Sequence, residues 1–150
     1  MYSYEGETFN WSNPEPIYFL FSTKNGLLTY APIVVFALIG VISMWWTQRT
    51  KALKFTVLLV LITYVFSAWW CWWYGCSYGS RNLVEFLVPL SIPFCLFVKQ
   101  TFRPKLSSVK YLVLLLGGVF IFINLKMIYK YDDCFHGGNW DWEAFYKLIF

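Results

Sequence analysis

The stretch "FTVLLVLITYVFSAWWCWWYGCSYGSR", residues 55–81, carries a long apolar run into four tryptophans within five positions, then into glycine, serine and arginine. An indole has an apolar body and one N–H that needs a partner, so a water-soluble core has room for few at this spacing. The boundary of a bilayer satisfies both ends of the ring at headgroup depth. The stretch therefore reads as a membrane-spanning helix ending in an aromatic belt.

The rest of the chain agrees with that solvent. Of 150 residues, 59% are hydrophobic and 13% charged, against about 25% charged in soluble domains. Residues 27–46, 55–73 and 111–131 are apolar runs of about 20 residues, which at ~1.5 Å rise reach roughly 30 Å, the thickness of the hydrocarbon core. A shorter run, residues 82–98, contains Pro89 and Pro93, four apart on one helical face. Each removes a backbone donor, so this segment reads as a kinked span, or alternatively as a re-entrant half-span. The expected fold is all-α and transmembrane, with about four spanning helices in a single region and short interfacial helices at the N- and C-terminal ends.

Charge orients the set. Arg49, Lys51 and Lys54 lie between the first two runs, and Lys99, Arg103, Lys105 and Lys110 between the last two; no acid accompanies them. Short loops rich in Lys and Arg stay cytoplasmic. The expectation is a multi-pass protein of the inner (plasma) membrane with both termini and the turn around residues 73–81 external. The net charge of +4 is then a topology signal; no basic run interleaves with aromatics as nucleic-acid binding would require.

The ends carry their own signals. Residues 1–26 are acidic, aromatic and turn-rich, with "NPEP" and "KNG" as punctuation, and lack the basic and apolar regions of a signal peptide. "PIYFLF" reads as a short interfacial helix. This segment resembles an interior loop, so the chain is expected to be part of a longer protein; the alternative is a small four-span protein starting at Met1. Lys126 near the end of the last run either snorkels or pairs with Asp132 or Asp133. In the external segment 132–150, "NWDWEAFYKLIF" reads as an interfacial helix with Asn139 as cap.

Most catalytic chemistries find no pattern here. Cys76 and Cys134 fall on the external side, where an oxidising compartment would allow a disulfide, but no C-x-x-C appears. Cys134, His136, Asp132 and Asp133 match no closed zinc spacing, so no metal is expected. Serine elbows, phosphate loops and dinucleotide fingerprints are absent, and no cofactor is expected.

What remains is "WYGCSYGSR". Gly75 and Gly79 permit a sharp turn. Ser77, Tyr78 and Ser80 supply hydroxyls, and Arg81 supplies a forked cation suited to phosphate. Beside a tryptophan belt, such a turn suits a lipid-linked phosphate; the plain alternative is a helix-to-helix turn with Arg81 paired to Glu85 at i,i+4.

"LFSTKNGLLTYAPIVVFALIG", followed some forty residues later by "WWYGCSYGSRNLVEFLVPLSIPF", resembles the later membrane part of bacterial integral-membrane glycosyltransferases. These belong to the C-type superfamily, with the dolichyl-phosphate-mannose mannosyltransferases and aminoarabinose transferases. The matching turn residues are Trp72, Gly75, Ser77, Tyr78, Gly79 and Arg81, with Cys76 where a second glycine is usual. The resemblance implies a multispanning protein that takes a sugar from a polyprenyl-phosphate carrier. In it Arg81 and Lys24 would contact the carrier phosphate, and Tyr78 and the tryptophans would line the approach. Its general base, an acid in a first external loop, has no counterpart here, so no catalytic residue is assigned and the segment is expected to be silent on its own. The implied partners are membrane lipids, the polyprenyl-phosphate sugar and the remainder of a longer chain. A noncatalytic scaffold or subunit is the competing class.

Overall fold

The computed structural model describes residues 6–75, 78–103, 107–131 and 141–150. Among the described residues the architecture is helical and contains no strand: α1 (Pro16–Phe21), α2 (Leu27–Tyr30), α3 (Val34–Thr47), α4 (Arg49–Ser67), α5 (Val84–Thr101), α6 (Ser107–Lys130) and α7 (Trp142–Ile149). A 3-10 turn, Arg81–Leu83, leads into α5. Among the described residues, three helical segments are long and apolar enough to cross a membrane: Arg49–Ser67, Arg81–Thr101 and Ser108–Lys130. Their apolar side chains largely face outward, as with Phe122 on α6, which is 65% exposed. An exterior of this kind is stable against lipid and not against water, and it supports a helical membrane protein.

The first expected span is interrupted. Ala31, restricted by Pro32 behind it, takes φ −130° and ψ 62° and ends α2 after four residues. The chain restarts through short i→i−3 bonds, Val34 N–H to Ala31 O (3.0 Å) and Val35 N–H to Pro32 O (3.0 Å). The 14 residues of α3 cover only about 21 Å at ~1.5 Å per residue.

The second run also shifts against its apolar boundaries. α4 starts at Arg49, because Gln48 (φ −145°, ψ 64°) is the whole connection from α3 and the basic residues after it are good helix formers. It stops at Ser67, so Trp69–Trp73 stand beyond the helix instead of winding around it. Here the N-terminal segment takes over the backbone bonds: Asn10 N–H donates to Ala68 O at 2.6 Å and Trp70 N–H to Thr8 O at 3.1 Å. Phe9 and Trp69 form an isolated antiparallel bridge.

The prolines do not shorten the third segment. α5 continues through Pro89 and Pro93, and with its leading 3-10 turn it spans 21 residues, a crossing length. α3 packs chiefly on α5. At the crossing Gly40 meets the backbone of Pro93: a β-carbon there would lie 2.0 Å from the Pro93 carbonyl oxygen. One turn to either side, Phe36 stacks on Phe97 (5.3 Å) and the Ser43 hydroxyl donates to Gln100 Oε1 (2.5 Å). Val34, Ala37 and Leu90 form the buried cluster of this interface.

α7 is amphipathic, with Phe145 and Ile149 buried against Tyr30 of α2 and Met127 of α6. Its N-cap is Asp141, whose carboxylate accepts from Ala144 N–H at 2.9 Å; the expected cap Asn139 lies outside the described residues. The Lys126 ammonium donates to the carbonyl of Ile149, a cation holding the last turn of α7 as the helix dipole favours; the pairing with Asp132 or Asp133 involves residues outside the described ones. Asp132, Asp133, Cys134 and His136 lie outside the described residues, as does Cys76, so the proposed disulfide does too.

Candidate functional site at the tryptophan-rich end

Two loops meet at the end of the bundle that also holds α7. The first, residues 22–26 ("STKNG"), is a tight turn between α1 and α2. Gly26 is required in it, since a β-carbon would fall 2.5 Å from Ser22 O, and Asn25 adopts φ 59°, a left-handed conformation that asparagine tolerates better than most residues. The second runs from Trp69 to Leu83, with Tyr74, Gly75 and Gly79 all at positive φ.

Asn25 joins them. Its Nδ2 donates to the carbonyls of Trp73 (2.8 Å) and Gly75 (3.1 Å), and its own carbonyl accepts from the Ser80 hydroxyl (2.5 Å). Contacts 48 to 55 positions apart in sequence thus pin the KNG turn onto the SYGSR turn. As a consequence Lys24 and Arg81 emerge from one stitched assembly. The Lys24 ammonium sits 5.8 Å from the Trp73 ring centroid, in cation–π range. Arg81 is exposed and, among the described residues, the alternative pairing with Glu85 is not formed; the ion pair present is Lys147–Glu143.

Tyr78 and Gly79 face the interior. Gly79 (φ +68°) lies against Tyr30, where a β-carbon would come 3.4 Å from the Tyr30 Cβ. The Tyr78 ring packs edge-on to Tyr30 (5.5 Å) and its hydroxyl donates to Asn124 of α6, at 3.1 Å from Oδ1 and 3.3 Å from the backbone carbonyl. Burial pushes that hydroxyl up to about 12, so it remains a proton donor across the physiological range. The hydroxyl of Tyr74, on the same loop, is raised to about 12 by the same cause. Ser77 lies outside the described residues.

Asn124 is the residue that sequence reasoning passed over. Its Nδ2 donates to Tyr30 O at 2.8 Å. In an unbroken helix Val34 N–H would bond that carbonyl, but the Pro32 interruption diverts Val34 to Ala31. Asn124 replaces the missing donor while its oxygen holds Tyr78. The available signal was one amide inside an otherwise apolar run, "VFIFINL"; a polar side chain in such a run needs a partner on a neighbouring helix.

The tryptophans divide between protein and surroundings. Trp69 packs on Phe9 (4.6 Å), and Trp72 on Tyr18 (6.0 Å) and on Trp73 (5.5 Å), whereas Trp70 is half-exposed. Phe9 and Tyr18 of the N-terminal segment are thus packing partners of Trp69 and Trp72.

The stitching has a measurable consequence. Asn25→Ala removes both amide donations and places alanine at positive φ, whereas Asn25→Gly removes the donations alone. The expected result is faster amide exchange in both loops for each variant, with Asn25→Ala less stable than Asn25→Gly by about 1 kcal/mol; equal stability would mean that the turn relaxes to another conformation. The chain matches no protein-family model, no curated protein and no solved structure.

Proposed function

We propose that this chain is the membrane-embedded part of a glycosyltransferase-like protein that holds a polyprenyl-phosphate-linked sugar at the outer face of the membrane. In this reading α2 and α3 together make a fourth crossing, broken at Pro32, and the basic loops face the cytoplasm. Both termini, the KNG turn and the SYGSR turn then share the external side. Arg81 and Lys24 contact the carrier phosphate; Tyr78 and Gly79 hold the loop that presents Arg81. The half-exposed indoles mark the headgroup depth at which a phosphate on a lipid chain would arrive. Sugar transfer itself would draw its general base from elsewhere in a longer chain or from a partner.

The observation that carries the proposal is the Asn25 bridge, which brings two exposed cations from distant sequence positions onto one assembly next to an aromatic belt. The test is binding of polyprenyl phosphate and of the phosphate-free polyprenol to the protein in detergent, read by tryptophan fluorescence. The phosphate is expected to bind more tightly, and Arg81→Ala to weaken it about tenfold, the worth of one charge-assisted contact, with no effect on polyprenol. Equal binding of both lipids, or an Arg81→Ala protein that binds the phosphate normally, would overturn the assignment and leave the scaffold class.

A further inference from the structure

At the opposite end of the bundle a groove of about 390 Å³ opens between the end of α3, the start of α4 and the face of α5. That is within the roughly 300–1,000 Å³ of ligand pockets. Its floor is apolar, from Met44, Ile92 and Leu96, and its rim is polar, from Gln48, Ser91, Lys51 and Lys99. Two other large grooves, beside Pro32 and between α1 and α4, are walled almost wholly by apolar side chains.

The charge at this rim is unbalanced. The sequence segments that carry these two lysines, residues 49–54 and 99–110, hold no acid, and neither Lys51 nor Lys99 forms an ion pair among the described residues. Lys99, in the last turn of α5, is placed favourably for that helix's dipole. Lys51 is in the first turn of α4, where the dipole disfavours a cation, and an anion in the groove offsets that repulsion. A molecule with a negative head and apolar tails matches both rim and floor.

We infer that this groove is a binding site for one anionic phospholipid, its phosphate between Lys51 and Lys99 and its acyl chains over Ile92 and Leu96. Charge complementarity selects the occupant: a zwitterionic lipid would bring its own cation to a rim that already has two. The inference is independent of the phosphate reading at the tryptophan-rich end, since it shares no residue with it.

The experiment is native mass spectrometry of the full protein in detergent, supplemented with phosphatidylglycerol or phosphatidylcholine. Phosphatidylglycerol is expected to be retained, and the Lys51→Gln/Lys99→Gln double variant to lose that retention by about tenfold or more, as two lysine–phosphate contacts imply. A Lys54→Gln/Lys110→Gln variant removes the same charge away from the groove and is expected to keep the lipid. Cys95, exposed on the groove wall, provides a readout without substitution: phosphatidylglycerol should slow its alkylation by maleimide, measured by peptide mapping, and phosphatidylcholine should not. Equal losses in the two double variants, equal retention of the two lipids, or alkylation of Cys95 unaffected by phosphatidylglycerol would each overturn the site.

Discussion

Gly40→Ala is expected to undo the contact between α3 and α5. The added methyl carbon would fall 2.0 Å from the carbonyl oxygen and 2.6 Å from the carbonyl carbon of Pro93. Both are backbone atoms of a fully buried residue, so no side chain can swing aside, and the helices must separate. Separation also stretches the Phe36–Phe97 stack and the Ser43–Gln100 hydrogen bond, which lie on the same face of α3 at i−4 and i+3. Small residues allow such backbone approach between membrane helices, where dispersion replaces the hydrophobic effect as the driving force. The expected destabilisation is about 3 kcal/mol or more, at the upper end for overpacking, visible as a lowered unfolding temperature in detergent. Gly118 of α6 is the control: a β-carbon there meets nothing within 4 Å, and Gly118→Ala should change stability by no more than about 1 kcal/mol. Equal effects at the two positions would mean that α3 and α5 are not in backbone contact.

Asn124→Leu is the second large effect. It removes the donor to Tyr30 O and the side-chain acceptor of the Tyr78 hydroxyl and leaves the carbonyl freed by Pro32 without its replacement. The apolar substitute suits the surrounding helix, so the loss reports the hydrogen bonds and not a disturbed α6. About 2 kcal/mol is expected, near the maximum for polar contacts between membrane helices. Tyr78→Phe removes only the loop's half of the arrangement and should cost about 1 kcal/mol. Amide exchange separates the two: Asn124→Leu should speed exchange around residues 27–34 and around 78–83, Tyr78→Phe only around the latter. Protection at residues 27–34 that survives Asn124→Leu would show that the break at Pro32 is satisfied some other way.

Hydropathy alone located the helices that are long and apolar enough to cross a membrane, because the requirement to bury or solvate every side chain acts on each segment separately. It was less informative about ends. The apolar run at residues 55–73 includes Trp69–Trp73, but α4 stops at Ser67, since the pairing of Thr8–Asn10 with Ala68–Trp70 is a long-range event that no local pattern encodes. Pro32 marked a place where a helix is strained, yet so did Pro89 and Pro93, and only the first ends a helix. The difference is tertiary: the carbonyl exposed at Tyr30 finds Asn124.

Of the candidate site, the sequence by itself determined the residue types: two cations, a glycine-punctuated turn and an aromatic belt at the end of an apolar run. Their association was decided by the fold. Asn25 reaches across some fifty positions to Trp73, Gly75 and Ser80, and Tyr78, whose hydroxyl looked available to a ligand, is turned onto α6. Composition selects the solvent because transfer free energies add residue by residue. A hydrogen bond between distant loops depends on where two backbones have already been placed, and that information exists only once the helices have packed.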